Sequence, residues 1–91
     1  MVVNLRQAAK DEPCMRCGRN DGTTVLAHYN GFYNHYFGNG MGKKSHDLAG
    51  AHLCHNCHTL FDQHKIEHRE EEFLSLCLRT VIKLYEKGVI K

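Results

Sequence analysis

The sequence predicts a small α+β fold that is organised around two Cys-x-x-Cys pairs and ends in a long helix. Three observations support this fold class. The chain has 91 residues, so it forms one domain, 1–91, with a thin apolar core. Its two cysteine pairs, Cys14 with Cys17 and Cys54 with Cys57, share one spacing. Apolar residues recur at helical spacing over 67–87.

Helix and strand signals alternate with turn signals before that last helix. Asn4 is a good N-cap for a short helix over 4–10. The segment 23–29 is rich in β-branched and aromatic residues and predicts a strand, whereas 30–42 is rich in glycine and asparagine and predicts a loop or distorted hairpin. A second short strand over 48–53 then leads into a helix that begins at residue 54 or 56 and ends at residue 64.

The segment 67–87 is the clearest helix. Acidic residues occupy its first turn and lysines its last, and Gly88 suits the position just past its end. A second apolar row runs along the same helix: Leu74, Leu78, Ile82 and Tyr85. Such a helix is either buried on two sides or packed against another copy, so we expect a homodimer through the C-terminal helix as one solution.

The paired cysteines predict a structural zinc ion. Structural zinc prefers four tetrahedral ligands, which two Cys-x-x-Cys turns can supply and one cannot. The expected ligands are Cys14, Cys17, Cys54 and Cys57. Alternatives are an iron–sulfur centre, buried free thiols, or a histidine, His55 or His58, in place of one cysteine. Zinc contributes about 10 kcal/mol or more to the folding of small domains, which would offset the thin core.

A cysteine knuckle, a hairpin and a helix that carries the second cysteine pair together make a treble-clef arrangement. On that helix, His58 and Asp62 lie at i,i+4 spacing and therefore on one side. This mixed pair suits Mg²⁺, Mn²⁺, Ni²⁺ or Zn²⁺ and predicts a second, catalytic divalent metal. The alternative is an ordinary surface pair without a ligand.

Bulk properties exclude some classes of protein. No apolar stretch approaches the ~20 residues that span a bilayer, and no signal-peptide pattern is present, so we expect a cytoplasmic protein without membrane contact. Disulfides are rare in that compartment, which favours metal binding by the cysteines. The formal net charge of +2 permits a polyanionic partner such as DNA. A thiol redox function is disfavoured because neither cysteine pair lies in a βαβ unit.

With these motifs in place, the chain resembles the small YbcO-like nucleases of phages and prophages, within the HNH (ββα-metal) endonuclease superfamily. The resemblance spans almost the whole chain. It is carried by 4–10 ahead of Cys14, Val25-Leu26-Ala27-His28, the glycines ahead of Lys43-Lys44, Asp47-Leu48, Cys54-x-x-Cys57-His58-x-x-x-Asp62, and 86–91.

The resemblance implies a metal-dependent endonuclease that hydrolyses DNA phosphodiester bonds in phage replication or recombination, inside the bacterial host cell. By it, His28 falls on the strand histidine that acts as general base, and Asp47 falls near the residue that orients this base. His58 and Asp62 fall on the two metal ligands of the helix.

One position departs from the HNH pattern. These enzymes commonly carry a metal ligand just before the base, where this chain has Ala27. Either fewer protein groups hold the metal, or His28 is itself a ligand; His46, next to Asp47, is another candidate for the missing ligand. Taken alone, His28 could equally be a strand histidine bonded to a backbone carbonyl, and Asp47 could simply cap a turn.

Substrate binding has weaker signals. Lys43 and Lys44 could contact DNA phosphates, although a lysine pair in a turn is most often only solvated. The aromatics of 30–37 could stack on bases or belong to the hairpin core. The endonuclease hypothesis requires His28, His58 and Asp62 to face one shared hollow. The alternative is a non-catalytic treble-clef zinc module that binds nucleic acid or protein.

Overall fold

A two-stranded sheet lies at the centre of the structure, and helices cover both of its faces. The computed structural model describes residues 4–38 and 45–90. The elements are α1 (Leu5–Ala8), β1 (Val25–His28), a 3₁₀ turn (Asn34–Phe37), β2 (Gly50–Leu53), α2 (His55–Asp62) and α3 (Arg69–Glu86). The architecture is therefore small α+β with a long C-terminal helix. Among these residues, no helix is both long and apolar enough to cross a bilayer.

Most elements are two or three residues shorter than the sequence patterns suggest, for local reasons. Helix α1 is capped by the Asn4 side chain, which accepts the Gln7 N–H at 3.0 Å, and it ends at Ala8 as the chain approaches a left-handed turn at Asp11, φ 63°. Strand β1 begins at Val25 because the preceding backbone is engaged in an Asx turn, in which the Asp21 carboxylate accepts the Thr23 N–H at 3.1 Å.

The two strands pair antiparallel, with Val25 opposite Leu53 and His28 opposite Gly50. Side chains alternate between the faces of a strand, and opposite residues share a face. One face therefore carries Ala27, and the other carries Leu26 and His28.

Two apolar clusters cover these two faces. On the first face, Ala27 packs with residues from the cysteine knuckles, α2 and α3, a cluster made of Cys14, Ala27, Tyr29, Ala51, Leu53, Cys54, Cys57, Phe61, Phe73, Leu76 and Cys77. On the second face, Leu26 packs with α1 and the end of α3 through Leu5, Ala9 and Leu84. Helices α2 and α1 therefore pack on opposite faces of the sheet.

Helix α3 contacts the sheet along one side only. Its buried residues are Phe73, Leu76, Cys77, Thr80 and Leu84. The second apolar row remains largely exposed, with Leu78 at 62%, Ile82 at 48% and Tyr85 at 65% of full exposure. This exposed row is available for contact with another molecule.

Candidate metal centre and histidine–carboxylate pairs

The four paired cysteines converge on one point. Their sulfurs all lie within 4.8 Å of one another, and the Cys17 and Cys54 sulfurs are 3.7 Å apart. A tetrahedral zinc ion with Zn–S bonds of about 2.3 Å requires sulfurs about 3.8 Å apart, so the group could hold a structural metal such as zinc. His55 and His58 are not members of this group.

Local backbone geometry builds the two halves of this centre. In the first knuckle, the Gly18 N–H bonds the Cys14 carbonyl at 2.9 Å, and Gly18 adopts a φ of +79° that suits glycine. In the second, Cys54 is the N-cap of α2, and its carbonyl accepts the His58 N–H at 2.9 Å. The Met15 N–H bonds the His52 carbonyl at 2.7 Å, which ties the first knuckle to β2.

The thiols differ in how readily they ionise. Burial opposes ionisation of Cys14, but the surrounding backbone N–H groups of Cys17, Cys54 and Arg16 outweigh it and lower the Cys14 pKa to about 6. Burial raises the pKa of Cys57 to about 12. Four thiolates at this spacing repel one another, and a divalent cation among them would allow all four to ionise.

Arg16 places a positive charge beside this sulfur cluster. Its Nη1 lies 3.8 Å from the Cys57 sulfur, and its Nε bonds the Glu72 carboxylate of α3 at 3.1 Å. A site with four thiolates and one divalent ion carries a net negative charge, so Arg16 would stabilise the occupied state. The sequence analysis missed this residue.

His28 is paired with Asp47 in the structure. His28 Nε2 lies 2.7 Å from Asp47 Oδ1, and the histidine side chain is only 11% exposed. The same oxygen lies 3.4 Å from Nε of Arg6, on α1. Three separate segments of the chain therefore meet at one carboxylate.

This arrangement assigns a tautomer to His28. The hydrogen bond with His28, helped by the charge of Arg6, lowers the pKa of Asp47 below its ordinary value, so Asp47 is a carboxylate near neutral pH. A carboxylate can only accept, and Nε2 of a neutral His28 therefore carries the hydrogen. Nδ1 is then a proton acceptor, as a general base requires.

His58 and Asp62 form a second pair on α2. His58 Nε2 and Asp62 Oδ2 are 3.5 Å apart, and their side chains are 39% and 61% exposed. Two adjacent ligands of an octahedral ion at about 2.1 Å lie about 3 Å apart, so a small movement would let both bind one mostly hydrated ion. The pair therefore offers one nitrogen donor and one oxygen donor on the same side of α2.

Among the described residues, His28 and Asp47 are not grouped with His58 and Asp62 as ligands of one ion. His28 projects to the face that Leu26 shares with α1, whereas α2 packs on the opposite face through Cys57 and Phe61. Within residues 4–38 and 45–90, the four cysteines are the one group of three or more potential ligands close enough to share an ion. The shared hollow that the endonuclease hypothesis requires stays a prediction.

Other predicted residues have varied positions. Lys43 and Lys44 lie outside the described residues. His46 is exposed, and its Nδ1 accepts the Leu48 N–H at 3.0 Å, so it is engaged in its own turn. The aromatics of 29–37 divide into a fully buried Tyr29 and largely exposed rings at Phe32 and Tyr36.

The sequence analysis did not single out three charged residues that support candidate sites. They are Arg6, which contacts Asp47, Arg16, which contacts the Cys57 sulfur, and Glu70, which accepts the Phe32 N–H. Arg6 and Arg16 each contact a partner 41 positions away, Asp47 and the Cys57 sulfur respectively. Such long-range partners leave no short-range pattern in a sequence.

Comparison with known proteins gives one match. A model of the family described as "Putative nuclease YbcO" matches residues 3–89. No curated protein and no solved structure matches the chain.

Proposed function

Because the chain belongs to the YbcO family of nucleases, we propose that it is a metal-dependent endonuclease of the HNH type that hydrolyses DNA phosphodiester bonds. In this proposal the two cysteine knuckles, the hairpin and α2 form the treble clef of such enzymes. The phage or prophage setting, in replication or recombination, is part of the same proposal.

The observation that carries the proposal is the His28–Asp47 pair. A half-buried carboxylate 2.7 Å from a nearly buried strand histidine is the arrangement by which hydrolases orient a general base. Arg6 holds the same carboxylate from α1, which keeps it charged and in place.

The chemistry of these residues follows from their charges. Asp47 holds the Nε2 hydrogen of His28, so His28 Nδ1 can take a proton from a water molecule that attacks the phosphorus in line with the leaving 3′ oxygen. As His28 becomes positively charged, Asp47 stabilises the imidazolium without accepting its proton.

His58 and Asp62 are the proposed ligands of the catalytic metal. A divalent ion bound there would supply positive charge to the phosphate oxygens. Because the described residues do not group this pair with His28 as ligands of one ion, the two pairs are tested separately.

The test is nicking of supercoiled plasmid by zinc-loaded protein with added Mg²⁺ or Mn²⁺. General bases typically contribute 10²–10⁴-fold, so we expect His28→Ala and Asp47→Asn each to reduce the nicking rate by about 100-fold or more. Asp62→Asn is expected to raise the Mg²⁺ concentration needed for half-maximal rate by about 10-fold or more. All three variants should match the wild type in zinc content and circular dichroism, which shows that they are folded.

Matched controls change similar residues elsewhere. His68→Asn removes an exposed imidazole, and Asp21→Asn makes the same isosteric change at a surface turn. Both should nick like the wild type. The endonuclease proposal is contradicted if the wild type does not nick with either metal, or if His28→Ala nicks at the wild-type rate.

We also propose a homodimer through α3. Its exposed residues Leu78, Ile82 and Tyr85 line one side of the helix and adjoin an apolar groove of about 850 Å³. Two copies packed about a two-fold axis would each cover the exposed apolar row of the other. Such a dimer carries two active sites and could cut both strands.

A second candidate function is a non-catalytic zinc module that binds nucleic acid or protein. The separation of His28 from His58 and Asp62 favours it, as does Ala27 before the candidate base. It predicts one tightly bound zinc, no nicking, and DNA binding that Asp62→Asn leaves unchanged.

A further inference from the structure

Three exposed aromatic rings form a continuous row on the turn that follows β1. Phe32 is 77% exposed, Tyr33 42% and Tyr36 72%. The ring centroids of Phe32 and Tyr33 are 5.1 Å apart, those of Tyr33 and Tyr36 are 6.3 Å apart, and His35 lies 4.1 Å from Tyr36. Isolated exposed aromatics are ordinary, but a contiguous row on a small domain indicates a binding surface.

The backbone beneath this row is held by a partly buried hydrogen-bond network. The carboxylate of Glu70, at the start of α3, accepts hydrogen bonds from the Tyr29 hydroxyl and from the Phe32 N–H, the latter at 2.7 Å. The Tyr29 hydroxyl in turn accepts the Tyr33 N–H at 3.0 Å. A side chain at Gly31 would collide with the Glu70 carboxylate and would have to displace it from this network.

Tyr29 anchors this network in the core. Its ring is fully buried and packs edge-on against Phe37 and Phe73, with centroids 5.3 and 5.6 Å away. Burial, together with the hydrogen bond to Glu70, raises the pKa of Tyr29 to about 12, so the hydroxyl remains a donor. The exposed rings are therefore presented from a fixed backbone, which lowers the entropy cost of binding to them.

The chemistry of the row suits unpaired nucleobases. Aromatic side chains stack on bases of any sequence, and only unstacked bases offer a free face. Phe32 lies four residues after His28, so their Cα atoms are at most about 14 Å apart. A strand held on the rings could therefore reach the candidate base within a few nucleotides.

We propose that Phe32, Tyr33 and Tyr36 form a stacking platform for unpaired nucleotides, and that it directs the protein to single-stranded or locally opened nucleic acid. The proposal rests on the proposed nuclease function, because that function supplies the nucleic-acid substrate. It adds the substrate class that the same site prefers.

The test is fluorescence anisotropy with zinc-loaded protein and no added Mg²⁺ or Mn²⁺. The probes are a labelled 20-nucleotide oligothymidine strand and a blunt duplex of equal length. Stacking is worth roughly 5- to 150-fold in affinity per base, so we expect Phe32→Ala and Tyr36→Ala each to weaken single-strand binding by that factor. Duplex binding should stay within about twofold of wild type.

Two further variants serve as controls. Phe32→Tyr keeps an aromatic ring and should keep the affinity for single strands. Val25→Ala removes an exposed apolar side chain from β1 and should leave the affinity for single strands unchanged. Sedimentation velocity on the same samples reports whether any variant alters self-association instead.

The proposal fails if Phe32→Ala and Tyr36→Ala bind single strands like the wild type, if both probes lose affinity equally, or if only self-association changes. Failure of the nuclease function gives a different result. His28→Ala should greatly slow nicking and leave single-strand binding intact. If the wild type does not nick but Phe32→Ala still loses single-strand binding, the stacking platform stands and the nuclease function fails.

Discussion

Single charged side chains hold the two candidate sites together. Asp47 joins a strand histidine to Arg6 on α1, and Arg16 joins the sulfur cluster to Glu72 on α3. Each acts between segments that are distant in the chain. Removal of the Asp47 or Arg16 charge should therefore alter the properties of the histidine–carboxylate pair or of the sulfur cluster, respectively.

Arg16 is expected to affect metal affinity. In Arg16→Met the aliphatic stem is largely retained, but the positive charge beside the Cys57 sulfur is lost. Partners next to metal ligands typically contribute 10- to 100-fold to affinity, so zinc binding should weaken by about 10-fold or more, as measured by competition with a chromophoric chelator. Arg19→Met removes an arginine that pairs with the surface residue Asp21 and should retain wild-type affinity. Equal affinities in the two variants would contradict the role of Arg16.

At the scale of elements, the ends of α2 and α3 are built alike but from different residues. Beyond α2, the Lys65 N–H bonds the Leu60 carbonyl at 3.1 Å, and His64 adopts a left-handed φ of 55°. Beyond α3, the Val89 N–H bonds the Leu84 carbonyl at 2.9 Å, and Gly88 occupies the left-handed position at φ 79°. Both are Schellman motifs, and only the second has the residue that the conformation favours.

This difference predicts opposite effects of two substitutions. His64→Gly should raise the free energy of unfolding by about 0.5–1 kcal/mol, because glycine adopts the left-handed conformation without steric cost. Gly88→Ala should lower it by about 1 kcal/mol for the same reason. Urea denaturation of zinc-loaded protein measures both. If His64→Gly instead lowers the free energy of unfolding, the imidazole of His64 stabilises the fold by more than the left-handed backbone costs.

At the scale of the whole molecule, α3 presents two apolar sides and the sheet covers one of them. The other side leaves Leu78 and Ile82 exposed beside the apolar groove. A surface of this kind on a small domain is normally covered by a partner. We propose a second copy of the chain as that partner, because a two-fold axis would bring the two exposed rows together.

The homodimer is tested by sedimentation equilibrium. The wild type should associate in a concentration-dependent way, and Leu78→Lys should weaken association by about 30-fold or more, because a central interface position would then bury an unpaired charge. Gln63→Lys, which adds the same charge at the end of α2, should associate like the wild type. A wild type that stays monomeric at all concentrations contradicts the proposed dimer.

The features predicted well from sequence are short-range. The Asn4 cap, the two Cys-x-x-Cys turns, the helix up to Glu86 and the glycine at 88 each depend on residues within one or two turns of the chain. Even the convergence of the four cysteines follows from local spacing once a common metal is assumed. The elements that came out shorter, such as β1, were trimmed by local hydrogen bonds of neighbouring turns.

By itself, the sequence determined the two matched cysteine pairs that could hold a metal, the order of helices and strands, and the two-sided apolar character of α3. Only the tertiary structure decided that His28 shares a sheet face with Leu26 and pairs with Asp47, and that Glu70 supports the exposed aromatic row. The physical reason is the two-residue period of a strand: a shift of one residue in pairing moves a side chain to the opposite face, and that pairing is set by packing against distant helices.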